Sequence, residues 1–368
     1  MKISIRNSTR MDILLLVAVF LLLTIGLLSI YSVGLSNVDT KMIFFNKQLI
    51  FALIGIVVLA IVSFTDYRFL KSYYKLFIII TFVLLGFVLL TGRVIRGASA
   101  WLQIFGFQFQ PVELGKIALI IFLATYLSRH AKECIYSWKP IIVSAAVSFS
   151  MMAFVAAQPD MGSALILFAI WIVMILFTKI DKKKVITIFL LIAVLLVSGW
   201  FGFLKDYHRN RILTFLDPEK DPLGTGYNLT QSITAVGSGK IAGRGFGLGS
   251  QSQLNFLPEQ RTDFIFAVIS EEFGFVGSMI TISLIIIILI RIVFITKSTN
   301  DNFAIFMAIG FFAMFFSQSF LNIAMNIGIA PVIGIPLPFV SYGGSSVLTS
   351  LLAIGILESI TLHKVEYF

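Results

Sequence analysis

The chain reads as an all-α polytopic membrane protein of about ten transmembrane helices, with one long extracytoplasmic loop between the seventh and the eighth. Three observations predict this. Of its 368 residues, 58% are hydrophobic and only 12% charged, whereas soluble domains carry roughly a quarter charged residues. Mean hydropathy is +0.98. Apolar runs near the twenty residues a helix needs to cross a bilayer recur along the chain, and a single long polar interval, 203–262, separates them. The expectation is one integral membrane domain over 1–368, with 203–262 as its large outer loop.

The spans fall near 12–33, 44–63, 75–91, 111–128, 140–157, 162–178, 185–202, 275–296, 303–326 and 346–362. The first apolar run, 13–31, is long enough to span and lacks a small-residue cleavage site, so it reads as a helix rather than a signal peptide. Orientation follows from the loops. With a cytoplasmic N-terminus, the inner segments hold Lys2, Arg6 and Arg10, then Arg68, Lys71 and Lys75, then Arg129, Lys132 and Lys139. They also hold Lys179, Lys182, Lys183, Lys184, Arg291, Lys297 and Lys364. The short outer loops hold Lys41, Lys47, Arg93 and Arg96. That asymmetry obeys the positive-inside rule: a multi-pass plasma-membrane protein with both termini in the cytoplasm. The net charge of +10 has the same origin, and no nucleic-acid partner is implied. One cysteine, Cys134, precludes an internal disulfide framework. His130, His208 and His363 lack zinc-site spacing.

Three short outer features follow in order. In GRVIRGASAWLQIFGFQFQPVELGK, 92–116, Pro111 suits a first helical turn, which puts Glu113 and Lys116 on one face. They are either a structural ion pair or part of a functional pathway. In QPDMG, 158–162, Asp160 caps the next helix at the least. In PVIGIPLPFVSYGGSS, 331–346, three prolines and Gly343–Gly344 break any helix, leaving an ordinary turn or a re-entrant segment lining a cavity. Asn322 and Asn326, just before it, share a helical face and can bond between helices.

The long loop carries turns at Asp217–Pro218 and Asp221–Pro222 and a short surface helix over 227–236. Its glycine-rich part, 237–249, is no Walker loop, because Thr234 and Ile241 stand where that motif needs Gly and Ser or Thr. Free backbone N–H groups beside Lys240 and Arg244 would suit an anion. With Arg209, Arg211 and Arg261 they point to a pyrophosphate-like partner. The loop ends in LPEQRTDFIFAVISEEFGFVG, 257–277, which sets three carboxylates, Asp263, Glu271 and Glu272, where loop meets membrane. A carboxylate there is costly unless paired, solvated or used. Asp263 precedes an apolar run and suits a helix N-cap. On a helix, Glu271 and Glu272 would lie about 12 Å further along, which implies a structural role near Gly274 and Gly277.

These stretches carry a resemblance. NRILTFLDP at 210–218, then DPLGTGYN, SITAVGSG and FLPEQRTDFIFAVISEEFGFVG, resemble the long loop of the SEDS (shape, elongation, division and sporulation) polymerases. QPVELGK, QPDMG and PLPFVSYGGSS resemble that family's other motifs, in the same order. Short tails and the wording of the loop are more similar to the RodA elongation branch than to the FtsW division branch. The resemblance implies a peptidoglycan glycosyltransferase that polymerises lipid II into a growing glycan strand on the outer face of the plasma membrane. It also implies a class B penicillin-binding protein as partner, beside membrane lipids. It makes Asp263 the essential carboxylate, Glu113 and Lys116 the intramembrane pair, and Asp160 the aspartate of QPDxG. Val112 departs from the family's usual Ser, and Ala100 from a usual basic residue, for which Arg96 is the nearest substitute.

Such a reaction needs a base for a sugar hydroxyl, cations for a departing lipid pyrophosphate, and access from the bilayer. A placed carboxylate serves as base for about a hundredfold in rate. Asp263 is that base, or it holds a divalent cation such as Mg2+ on the pyrophosphate. Arg209, Arg211, Lys240, Arg244 and Arg261 would neutralise the leaving group. The family's α-to-β change implies inversion. The alternative is a lipid-linked sugar flippase, which buried charges also suit; a non-catalytic scaffold ranks third. Polar chemistry gathered in one outer loop favours the enzyme.

Overall fold

The computed structural model describes residues 11–35, 41–95, 98–104, 107–198, 206–221 and 224–363. Arg96, and the basic residues Lys2, Arg6, Arg10 and Lys364 used for orientation, lie outside them.

Every predicted span is a helix. They are α1 (Ile13–Gly34), α2 (Lys41–Phe64), α3 (Arg68–Thr91), α4 (Pro111–His130), α6 (Lys139–Ala157), α7 (Met161–Phe177), α8 (Lys182–Ser198), α12 (Ile265–Ser298), α13 (Asn302–Asn326) and α14 (Gly344–Leu362). Between them lie the short α5 (Glu133–Tyr136), α9 (Asp206–Leu216), α10 (Thr225–Ser238) and α11 (Ser250–Gln253). Among the described residues, eight helices are long and apolar enough to cross a membrane, and α7 is a shorter apolar one. Side chains mark their starts. Asp12 accepts from Leu15 N at 3.1 Å for α1. Asp301 accepts from Phe303 N at 3.0 Å for α13, and Pro111 takes the first turn of α4.

Burial sorts the helices by position. α4 and α14 are buried along most of their length. α2 and α3 turn Leu53, Val57, Ile61, Ile79, Val83 and Leu90 outward. So continuous an apolar exterior would be a sticky patch in water and is ordinary against lipid. At one end of the bundle Asp12 N donates to Glu358 at 3.0 Å and Arg291 pairs with Asp12 at 2.7 Å. Both ends of the described chain therefore lie together there. The strands of 93–109 and the short helices α10 and α11 lie toward the opposite end.

Two features were not anticipated. First, 93–109 forms a three-stranded antiparallel sheet of β1 (Arg93–Ile95), β2 (Ala98–Ile104) and β3 (Phe107–Phe109). Arg93 faces Trp101, and Gln103 faces Gln108. Strands this short leave almost no periodic signal. Second, α12 starts at Ile265 rather than at 275, because Glu271 and Glu272 do not interrupt it. Glu271 accepts from Gln251 N at 2.8 Å and Ser252 N at 3.1 Å, capping α11. Glu272 accepts from the Ser32 hydroxyl of α1. Their role is structural, as expected.

α12 breaks once, at Gly274 (φ 67°, ψ −159°). The break frees carbonyls before it and N–H groups after it, and the glycine-rich loop takes both, forming a splint across the break. Arg244 N donates to Glu271 O at 2.9 Å and Gly245 N to Glu272 O at 3.0 Å. In return Phe275 N donates to Lys240 O at 2.8 Å and Val276 N to Ile241 O at 3.2 Å. The glycines allow the approach: a Cβ on Gly243 would lie 2.1 Å from Glu272 O. The anion-nest reading of 237–249 is thereby corrected, since the N–H groups of Arg244 and Gly245 bind the kinked helix. α10 covers the same region, burying Leu229, Ser232 and Ala235, so the short helix expected over 227–236 is present.

Gly274→Ala places a Cβ 2.3 Å from Gly243 N at a positive φ. The substitution is expected to cost at least about 1–3 kcal/mol, measured as a lower thermal unfolding midpoint in detergent. An unchanged midpoint would show that the splint does not constrain the kink.

Candidate active site

The stretch 259–264 enters α12 as a tight turn, with Thr262 N and Phe264 N both donating to Glu259 O, at 3.0 and 3.3 Å. The N-cap position is Phe264, without a side-chain bond, not Asp263. The cap comes from the neighbouring helix: Ala267 N donates to Asn326 Oδ1 at 3.1 Å. Asn322 and Asn326, one turn apart on α13, each donate through Nδ2 to Asp263 O at 3.0 Å. Asn322 Nδ2 also donates to Ile335 O at 2.7 Å.

Ile335 belongs to 331–343, which has no regular structure and is buried at Ile335 and over 337–341. Buried irregular backbone must find its hydrogen bonds inside the protein. Here Leu337 N donates to Ser341 Oγ at 2.7 Å, and Ser341 Oγ donates to Thr262 O at 2.7 Å. Tyr342 N donates to Arg261 O at 2.8 Å. Gln48 of α2 holds the far side, donating to Ser341 O at 3.1 Å and accepting from Gly343 N at 3.1 Å. Of the two readings of this segment, cavity lining is the one observed. Gly334 faces the aspartate closely, and a Cβ there would lie 3.4 Å from Asp263 Oδ2.

The opposite wall comes from α4 and α7. Lys116 Nζ donates to Glu113 Oε1 at 2.8 Å, with the residues 1% and 3% exposed. At that burial the two charges compensate each other, which answers the cost of holding either alone. Asp160 Oδ1 accepts from Ser163 N at 3.0 Å and caps α7. Its Oδ2 accepts from Gln110 Nε2 at 2.8 Å, and Gln110 N donates to Ser345 Oγ at 3.0 Å. Asp160 is both a cap and a wall.

These walls enclose a cavity of about 240 Å³ lined by Glu113, Lys116, Asp160, Arg211 and Asp263 together. Five sequence-predicted residues from four stretches thus meet. The other predicted cations do not line it. Arg209 lies on α9 two residues before Arg211. Arg261 stacks its guanidinium 4.3 Å over the Phe44 ring, and burial lowers its pKa from the ordinary value. Arg244 donates to Ser250 Oγ at 2.8 Å. Lys240 is exposed on the splint at φ 49°. Among the described residues no three His, Cys, Asp or Glu side chains gather as a metal site. A Mg2+ on Asp263 would therefore take most of its ligands from phosphate oxygens and water, as that ion commonly does.

Sequence reading missed Gln110, Trp101, Glu259, Gln318 and Tyr342 at the lining. Gln110 opens the QPVELGK motif and was visible there as the residue before Pro111. Gln318 sits in an apolar run with no local signal.

The sequence profile of the cell-cycle protein family typified by FtsW, RodA and SpoVE matches residues 12–366. The chain is 36% identical to stage V sporulation protein E of Bacillus subtilis (strain 168), over 97% of this chain and 99% of that one. It is also 36% identical to the peptidoglycan glycosyltransferase MrdB of Escherichia coli (strain K12), over 84% of this chain and 83% of that one. Among solved structures, it superposes with a TM-score of 0.80 on a chain of a peptidoglycan synthase complex that coordinates polymerization and crosslinking. The two are 26% identical, with 95% of this chain and 97% of that one covered.

Lys116→Met strands the Glu113 carboxylate at 3% exposure. That single change is expected to cost about 3–5 kcal/mol, whereas Glu113→Leu with Lys116→Met together costs much less. Thermal unfolding of both singles and the double in detergent measures the coupling, and additive losses would mean the ion pair is not the stabilising unit.

Proposed function

This chain belongs to the SEDS family of peptidoglycan glycosyltransferases, which polymerise lipid II, and we propose that it does so at the cavity centred on Asp263, in the elongation branch of the family. The observation that carries the proposal is the meeting of Asp263, Glu113, Lys116, Asp160 and Arg211 at one cavity. Asp263 is half-buried, on a backbone tied to α13 and to 331–343.

In the proposed step a sugar hydroxyl oxygen attacks the anomeric carbon of a lipid-linked donor. Asp263 accepts the hydroxyl proton as the C–O bond forms. The bond from that carbon to the lipid pyrophosphate breaks, and the leaving group takes the electron pair. Attack opposite the leaving group inverts the carbon, so no glycosyl-enzyme forms. Arg211 is the lining cation that is not part of the Glu113–Lys116 pair, and it faces the growing negative charge. Arg209, on the same short helix, would extend that field, while Lys240, Arg244 and Arg261 would act only at longer range. Gln110 and Asp160 shape the wall toward α7. A class B penicillin-binding protein is the proposed partner, crosslinking the strands as they emerge. The polymerase works on the outer face of the plasma membrane, with both chain termini in the cytoplasm.

Purified with that partner, the wild-type protein is expected to convert labelled lipid II into glycan chains. Asp263→Ala and Asp263→Asn should fold and bind the partner yet lose at least about a hundredfold in rate. Equal polymerisation by Asp263→Ala would overturn the role of Asp263. For the branch, expression in rod-shaped cells depleted of their elongation polymerase should restore the rod. Rescue of division-depleted filaments instead would place the chain in another branch.

A further inference from the structure

We propose that Asn322 and Asn326 of α13 are positioning residues that aim Asp263 at its substrate by holding the aspartate's own carbonyl. The proposal rests on the reading of Asp263 as the base.

A residue at the head of a helix is ordinarily oriented by that helix and its cap. α12 lacks a side-chain cap of its own. Its first turn is tied instead to α13, through Ala267 N and Asn326 Oδ1 at 3.1 Å. Two separate carboxamides then converge on one oxygen, Asp263 O, each at 3.0 Å. A carbonyl has two lone pairs, so both are used and the peptide plane after Asp263 is fixed. That plane and the turn before it set the direction in which the Asp263 side chain leaves the backbone.

The same amides also tie the aspartate's backbone to the 331–343 segment. Asn322 Nδ2 donates to Ile335 O at 2.7 Å, so one nitrogen bridges the aspartate's backbone and the wall facing it. Asn326 Nδ2 donates to Asn322 O at 2.8 Å, locking the pair together. Both asparagines are fully buried. Neither is among the residues lining the cavity, so their influence on substrate runs through Asp263 and Ile335. Beside their bonds to Ala267 and Ile335, both amides converge on Asp263, the residue before α12 whose side chain lines the cavity.

The test uses full-length protein with its penicillin-binding partner, labelled lipid II, and the variants Asn322→Leu, Asn326→Leu and Asn326→Asp beside Asp263→Ala. Asn326→Asp keeps the oxygen that caps Ala267 and loses the donors to Asp263. Per folded, partner-bound molecule, kcat is expected to fall by about 10–100-fold while KM for lipid II stays within about threefold. The acid limb of the kcat–pH profile should also move, which a mere loss of folded protein would not cause. Wild-type kcat per folded molecule in the Asn variants, with Asp263→Ala inactive, would overturn the positioning role and leave the base intact. A rise in KM alone would also overturn it. Full activity of Asp263→Ala would instead remove the premise.

Discussion

The cavity-bearing end of this protein depends on satisfying backbone hydrogen bonds where water is scarce and helices have ended. Helices solve that problem within themselves, which is why most of the chain is helical. The site uses non-helical backbone, the 331–343 segment, for one of its walls. The price is a set of exposed carbonyls and N–H groups, and the chain meets it with a few amides and hydroxyls. Asn322, Asn326, Gln48 and Ser341 each tie the irregular 331–343 segment or the entry to α12 to a neighbour. Removing one leaves a buried group unpaired, at about 1–3 kcal/mol, more than its own bond contributes.

Charge is handled by a different rule in the same space. Glu113 and Lys116 are almost wholly buried and neutralise each other. Asp160, Arg211, Glu259 and Asp263 line the same cavity. Asp160 already accepts two hydrogen bonds. A lining that pairs its most buried charges, Glu113 and Lys116, suits a reaction in which charge arrives with the substrate. It suits a transport pathway less well, because a path through the bundle would need polar groups along its length.

Much of this was legible in the sequence. Hydropathy alone placed the helices, because a bilayer imposes a length and forbids exposed backbone. Glu113, Lys116 and Asp160 stood out as charges beside apolar runs, where any charge needs a reason. What stayed hidden depended on long-range pairing. The strands of 93–109 are too short to show a period. The basic residues of the long loop looked equivalent in sequence, yet among the described ones only Arg211 lines the cavity. Glycines at 237–249 suggested a nest for an anion because their N–H groups seemed unclaimed. Their partners, the carbonyls of Glu271 and Glu272, become available only because α12 breaks at Gly274, and that break is a property of the fold.

The break also explains how one long helix serves two purposes. Beyond Gly274, α12 continues as an apolar span whose outward residues, such as Ile280 and Ile286, face away from the protein. Before it, residues 265–273 are almost entirely buried under α10 and against α1. The glycine loop reconnects the halves by backbone bonds, and the Ser32–Glu272 bond anchors the outer half to α1. The entry to α12 at Asp263 is tied to α13 and to the 331–343 wall as well as to its own helix.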